Sequence, residues 1–119
     1  MDDLWGDVVY AYTRAMAIAD GALIDVSEQA QKAGFKFPAA FTSALWQHVE
    51  GLGDPENMNA RILQILDMAV VVAKYAATRS DIINFKMAFP GSSVVNIKSI
   101  CGPGDDGRPV LTFMFFNED

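Results

Sequence analysis

The spacing of apolar residues changes near residue 79, and this change constrains the fold more than any other feature. Before it, over 55–78, apolar residues recur every three or four positions, as on one face of a helix. After it, over 82–89, 93–101 and 109–117, apolar and polar residues alternate, as they do in β-strands. A long helix followed by three strands with tight turns predicts an α+β domain.

The first half of the chain predicts three further helices, over 7–20, 27–33 and 38–50, and a short strand over 22–26. Gly21 follows the first apolar stripe, where a glycine often closes a helix. Asp54 precedes a proline at the start of the longest helix, and we expect its carboxylate to cap that helix. The predicted fold is therefore about four helices on a three- to four-stranded antiparallel sheet.

The periodicities also predict a core, made of apolar residues on the inward face of each element. It comprises Tyr12, Ile18, Leu23, Phe41, Leu45, Ile62, Ile65, Leu66, Ala69, Val72, Phe85, Met87, Val95, Ile97, Leu111, Phe113 and Phe115. The last strand is apolar on both faces, and the long helix is apolar beyond one stripe. Both observations predict a homodimer through one of these surfaces.

Length and charge restrict the class of protein. A chain of 119 residues without a linker-like segment predicts one domain, residues 1–119. The net charge is −6, and no two of the nine lysines and arginines are adjacent in the sequence. Nucleic-acid binders usually gather basic residues into a stripe, so we expect no direct nucleic-acid binding. The acidic balance fits either a basic protein partner or solubility alone.

The compartment follows from cysteine use and from apolar runs. The single cysteine, Cys101, cannot form a disulfide within one chain. The acidic start MDDLWGD does not have the basic flank of a signal peptide, and the apolar run 68–73 is too short to span a bilayer. We therefore expect a cytoplasmic protein without a membrane segment.

Few residues are candidates for catalysis or for binding a ligand, and no catalytic, cofactor-binding or metal-binding residue is predicted. His48 could serve as a base for a Cys101 nucleophile, but both positions are typical of structural residues. Asp105 and Asp106 lie in GPGDDG, which has too few spaced carboxylates for a calcium loop and is typical of a hairpin turn. Arg14 could bind an anion, although a structural pairing with a nearby acidic group is favoured.

Two segments resemble a known group of sequences. The opening Tyr-Thr-Arg-Ala, Ala-Ile-Ala-Asp-Gly and Leu-Ile-Asp-Val-Ser motifs within 12–27, and the closing GPGDDG-x-PV within 102–110, are similar to those of a family of small uncharacterised proteins from phages and plasmids. Family members often carry glutamine at the position of Met16. The resemblance implies association with mobile bacterial DNA, whose small acidic proteins often interfere with host defence.

The predicted function is therefore a non-enzymatic protein that binds and inhibits a host defence effector, such as a CRISPR or restriction complex with a basic surface. The candidate partner-binding residues are Arg14, Asp54, Glu56, Asp105 and Asp106. One alternative is a small ligand-binding domain or enzyme with a pocket near Arg14 and His48. Another is a structural accessory protein of a phage or plasmid.

Overall fold

The structure, a computed structural model, describes residues 12–75 and 81–118. The described part is an α+β fold with a five-stranded mixed sheet. The elements, in chain order, are α1 (Arg14–Ala19), β1 (Leu23–Asp25), α2 (Ser27–Ala33), β2 (Ala39–Thr42), α3 (Ser43–Glu50), a short 3-10 helix (Pro55–Asn57), α4 (Met58–Tyr75), β3 (Ile82–Met87), β4 (Val95–Pro103) and β5 (Pro109–Phe115). The parts of the first and fourth predicted helices at 7–11 and 76–78 lie outside the described residues.

The sheet has the strand order β1-β2-β5-β4-β3. The predicted meander of β3, β4 and β5 is confirmed, and its two pairings are antiparallel. The expectation of a wholly antiparallel sheet is wrong, because β2 pairs with β5 in parallel. The Leu111 amide donates to the Pro38 carbonyl over 2.8 Å, and this bond sets where β2 begins.

The segment 39–42 corrects the prediction of a helix over 38–50. It is strand β2, with Ala39, Ala40 and Phe41 fully buried, and α3 begins only at Ser43. Alanine favours helices, but a four-residue segment that hydrogen-bonds to strands on both sides follows its tertiary surroundings. Thr42 then caps α3, since its hydroxyl accepts a bond from the Leu45 amide.

The main core lies on one face of the sheet, under α2, α3 and α4. In α4 the buried residues are Ile62, Ile65, Leu66 and Ala69, as predicted. Burial of each large aliphatic side chain contributes roughly 1.5–3 kcal/mol. Phe113 lies at the centre of the sheet, with its ring centroid 5.7 Å from that of Phe41.

The predicted core is wrong at Tyr12 and Ile18, whose side chains are 55% and 38% exposed. Helix α1 has six residues, and Ala17 is the only one of them that is buried. Sequence periodicity could not show that this short helix contacts the sheet through a small residue and through Arg14.

Candidate functional site

The opening motif, within 12–27, and the closing motif, within 102–110, meet on the second face of the sheet, which is the face opposite the main core. Asp25, Ala40 and Thr112 occupy paired positions on β1, β2 and β5, so their side chains point to the same face. The half-buried guanidinium of Arg14 donates to the Thr112 hydroxyl and to the Leu111 carbonyl, each over 2.7 Å. Arg14 therefore ties α1 to the central strand β5.

The charge of Arg14 is balanced by two carboxylates. Burial lowers the pKa of Arg14, while the nearby charges of Asp25 and Asp105 raise it. A guanidinium stays protonated in proteins, so the site holds one cation near two anions. The hydrogen bonds of the guanidinium go to Thr112 and Leu111, and Asp25 and Asp105 act on it through their charge.

The carboxylate of Asp105 closes the start of α1. It accepts hydrogen bonds from the amides of Arg14 and Ala15, over 2.8 and 3.0 Å. The hydroxyl of Thr13 accepts from the next amide, that of Met16, over 3.1 Å. The first three amides of a helix have no partner within the helix, and here all three are satisfied. The start of α1 is therefore occupied by the protein's own carboxylate.

The loop that carries Asp105 is shaped by a close backbone approach at Gly104. A Cβ atom there would lie 2.8 Å from Cγ1 of Val110 and 3.3 Å from the Arg108 carbonyl oxygen. The Gly104 amide donates to that same carbonyl over 2.7 Å. Only glycine fits this turn without displacing a neighbour, which explains its place in the hairpin motif.

Asp106, the second acidic residue of the loop, is engaged locally. Its carboxylate accepts from the amide and the guanidinium of Arg108, over 3.0 and 2.8 Å. The hydrogen bond from the Arg108 amide is the largest of the causes that lower the pKa of Asp106. Within 12–75 and 81–118, no group of three or more histidine, cysteine, aspartate or glutamate side chains could hold a metal ion.

Asp20 and Asp25 stabilise the turns that flank β1. The Asp20 carboxylate accepts from the Tyr12 hydroxyl and, over 3.1 Å, from the Ala22 amide. The Tyr12 bond contributes most to lowering the pKa of Asp20. Asp25 accepts from the amide and hydroxyl of Ser27, at the start of α2. These acidic residues therefore serve the local structure.

Three other carboxylates, those of Glu50, Asp54 and Glu56, form what we call the acidic turn, between α3 and α4. All three residues are exposed, and their side chains make no hydrogen bond or ion pair with any described residue. The prediction that Asp54 caps the following helix is wrong, because its side chain caps no amide. Its left-handed backbone, with φ 48°, directs the chain into the 3-10 helix instead.

His48 does not share a site with Arg14 or with Cys101. The His48 ring packs edge-to-face on Phe115, on the face of the sheet opposite Thr112 and Arg14. Cys101 pairs with Leu111, four positions along β5 from Phe115, which is about 14 Å along a strand. The Nε2 atom of His48 is buried and makes no hydrogen bond to the described part of the chain.

A family model matches residues 4–119, nearly the whole chain, and its description is a family of unknown function, DUF6573. The chain belongs to this DUF6573 family. No curated protein and no solved structure matches it. None of the helices within the described ranges is long and apolar enough to cross a membrane.

In this DUF6573 protein, sequence reasoning selected Arg14 and Asp105 but missed Thr112 and Thr13. The available signal was the resemblance itself, because its two motif segments lie at opposite ends of the chain. Both motifs are shared with the family. Two segments that are far apart in the sequence are expected to be shared together when their residues contact each other. Thr112 alternates with apolar neighbours in β5, and nothing in that pattern distinguishes it from a surface threonine.

Proposed function

We propose that this protein is a non-enzymatic inhibitor from mobile bacterial DNA that binds a basic surface of a host defence complex, such as a CRISPR or restriction effector. The observation that carries the proposal is the acidic turn. Its three carboxylates are exposed and free of partners among the described residues. Such groups keep their charge available to the lysines and arginines with which an effector grips nucleic acid.

The structure separates the five candidate partner-binding residues by their contacts. Arg14 and Asp105 are used to join α1 to the sheet and the hairpin, and Asp106 pairs with Arg108. The side chains of Asp54 and Glu56 have no such role among the described residues, and Asp54 takes part in internal bonds only through its carbonyl, which accepts from Arg61 and from the Asn57 amide. We therefore assign partner binding to Asp54 and Glu56, together with Glu50. Four further carboxylates of the chain, Asp2, Asp3, Asp7 and Asp119, lie outside the described residues.

The class of partner is inferred from the resemblance to phage and plasmid proteins. The mode of binding is inferred from the negative charge of this protein. An acidic protein is attracted to a basic nucleic-acid channel over several ångströms, and salt weakens that attraction. Capture of a defence complex should therefore be strong at low salt and fall steeply as salt rises.

The test is a pull-down of CRISPR and restriction complexes from host lysate, paired with phage survival in the same host. The double variant Asp54→Lys/Glu56→Lys should lose capture and protection. The matched control, Glu28→Lys/Asp81→Lys, changes the net charge equally at two other exposed carboxylates that have no partner within 12–75 and 81–118. Equal loss in both variants would reject the acidic turn as the binding site. No capture at low salt, with phage survival unchanged, would reject the inhibitor function.

A second candidate function is a small-ligand site beside Arg14, since a groove of about 470 Å³ opens there. It is lined by Tyr12, Thr13, Arg14, Ala17, Ala22, Leu23, Pro103, Gly104 and Asp105. Two of the five guanidinium N–H groups are accounted for by Thr112 and Leu111, so an uncharged ligand with a hydrogen-bond acceptor could take others. Ligand-induced chemical shifts at Ala17 and Leu23 in the absence of any captured protein would favour this function over the inhibitor.

A further inference from the structure

The second face of β3, β4 and β5 carries side chains unlike the rest of this acidic protein. Strand register places Lys86 opposite Asn96, and Asn84 opposite Lys98. On the next strand, Met114 lies opposite Lys98. Paired residues point to the same face, so two lysines and two asparagines lie side by side on neighbouring strands.

Phe116 completes this surface, directly after β5. Its amide donates to the Asn96 carbonyl over 2.9 Å, which continues the β4–β5 ladder by one residue. The Phe116 side chain is 55% exposed, although its neighbour Met114 is buried. An exposed aromatic ring is therefore held by the backbone beside Asn96 instead of packing into the core.

These residues line a groove of about 350 Å³ formed by Asn84, Phe85, Lys86, Asn96, Ile97 and Phe116. A second groove of about 300 Å³ adjoins it and shares Asn96 and Phe116. Volumes of this size fall at the lower end of the roughly 300–1,000 Å³ found for small-molecule sites. The space suits a single compact unit of a ligand.

Strands β3 and β4 bring two cations, Lys86 and Lys98, to this surface. None of the described side chains that β3, β4 and β5 direct to this face is a carboxylate. The Glu118 carboxylate lies at one side of this surface, where it accepts from the Thr42 hydroxyl and the Phe115 amide. The ammonium of Lys98 donates to the Glu118 carbonyl over 2.6 Å, whereas Lys86 is exposed and unpaired among the described residues.

We infer that this face binds a nucleotide unit, either as a free nucleotide or within a single-stranded nucleic acid. Each part of a nucleotide has a counterpart on the surface. An exposed ring such as Phe116 stacks on a base. Carboxamides such as Asn84 and Asn96 offer a donor and an acceptor to a base edge. The ammonium of Lys86 attracts the phosphate.

This inference does not rest on the proposed inhibitor function, which uses the acidic turn. It revises the sequence-based expectation of no direct nucleic-acid binding. That expectation rested on basic residues being separated along the chain. The pairing of β3 with β4 brings Lys86 and Lys98 onto neighbouring strands, which a search for adjacent basic residues cannot detect.

The test uses the full chain and three probes at low salt: adenosine monophosphate, a fluorescent eight-nucleotide single-stranded DNA, and inorganic phosphate. Backbone amide chemical shifts locate binding, and fluorescence anisotropy gives the affinity of the oligonucleotide. Phe116→Ala should weaken binding about tenfold, as loss of one stacking partner does. Lys86→Gln should weaken it and reduce its salt dependence.

Helix α4 supplies matched controls, because Lys74 and Tyr75 are an exposed lysine and an exposed aromatic residue elsewhere. Lys74→Gln and Tyr75→Ala should leave binding unchanged. Shifts at Asn84, Asn96 and Phe116 with only one of the two nucleotide probes would support the inference and identify the source. No shifts with either, the same shifts with phosphate alone, or equal losses in the control variants would overturn it.

Discussion

The carboxylate of Asp105 accepts a hydrogen bond from the backbone amide of Arg14, 91 residues earlier in the chain. It accepts a second from the amide of Ala15. A residue of the last hairpin thus caps the first described helix, while the side chain of Arg14 binds the strand that follows the same hairpin. This double connection makes the fold of α1 dependent on the other end of the chain.

Replacing Asp105 should therefore destabilise the protein. Asp105→Ala leaves two helix amides without their acceptor, and we expect a loss of about 1 kcal/mol in the free energy of unfolding. Asp105→Asn keeps one acceptor oxygen and should lose less. Urea unfolding measures both. Asp106→Ala, in the same loop, is the control, and a loss there as large as at Asp105 would contradict the capping role.

The Tyr12 hydroxyl should govern the titration of Asp20. This bond is the largest cause of the lowered pKa of Asp20, so Tyr12→Phe should move that pKa back towards its ordinary value of 3.8. A carboxyl with a lowered folded pKa stabilises the protein above its unfolded pKa, and this contribution disappears as the pH falls through the folded pKa. The Tyr12→Phe protein should therefore lose less stability than the unchanged protein as the pH falls below 3.8. Carboxyl NMR titration checks the shift, and an unchanged Asp20 pKa would exclude the bond.

Gly104 should tolerate replacement by alanine only when Val110 is also replaced by a smaller residue. Gly104→Ala places a Cβ 2.8 Å from Cγ1 of Val110, and crowding of this kind costs roughly 1–3 kcal/mol. In the double variant Gly104→Ala/Val110→Ala the clashing methyl groups of Val110 are absent. The stability loss of the double variant should therefore be smaller than the sum of the losses of the two single variants. Thermal unfolding of the two single variants and the double variant tests this coupling. Strictly additive losses would place the strain elsewhere.

Charges placed at Met114 and Phe116 should have opposite outcomes, although both residues are apolar and lie two positions apart. Met114 is 6% exposed, so Met114→Lys buries a charge and should cost on the order of 3 kcal/mol. Phe116 is largely exposed, and Phe116→Lys should change stability by no more than about 0.5 kcal/mol. Circular dichroism during urea unfolding distinguishes them. A fully folded Met114→Lys protein would show that this position is not part of the core.

Self-association is expected through the outer face of α4 rather than through β5. Strand β5 is central and its large side chains are mostly covered, whereas Met68 and Val71 are exposed at helical spacing. Val71→Glu should convert a dimer to a folded monomer. Light scattering at micromolar concentration gives the mass, with Val94→Glu as a control at another exposed apolar residue. Only a 13.0 kDa species for the unchanged protein would reject the dimer.

The sequence alone determined the elements whose pattern is long and local. The stripe of α4 and the alternation of β3, β4 and β5 are repeated several times, and glycine and proline mark their ends. Local spacing and turn chemistry suffice there, because each residue's environment depends mainly on its neighbours along the chain.

Tertiary structure decided what depended on distant partners. Residues 39–42 became a strand because β1 and β5 supply its hydrogen bonds, against the helical preference of alanine. Likewise, Arg14 became a structural link because Thr112, Asp25 and Asp105 surround it in space. Lys86 and Asn96 form one surface only because two strands pair in a particular register. Hydrogen bonds and charges act over a few ångströms of space, so separation along the chain cannot predict which of them will form.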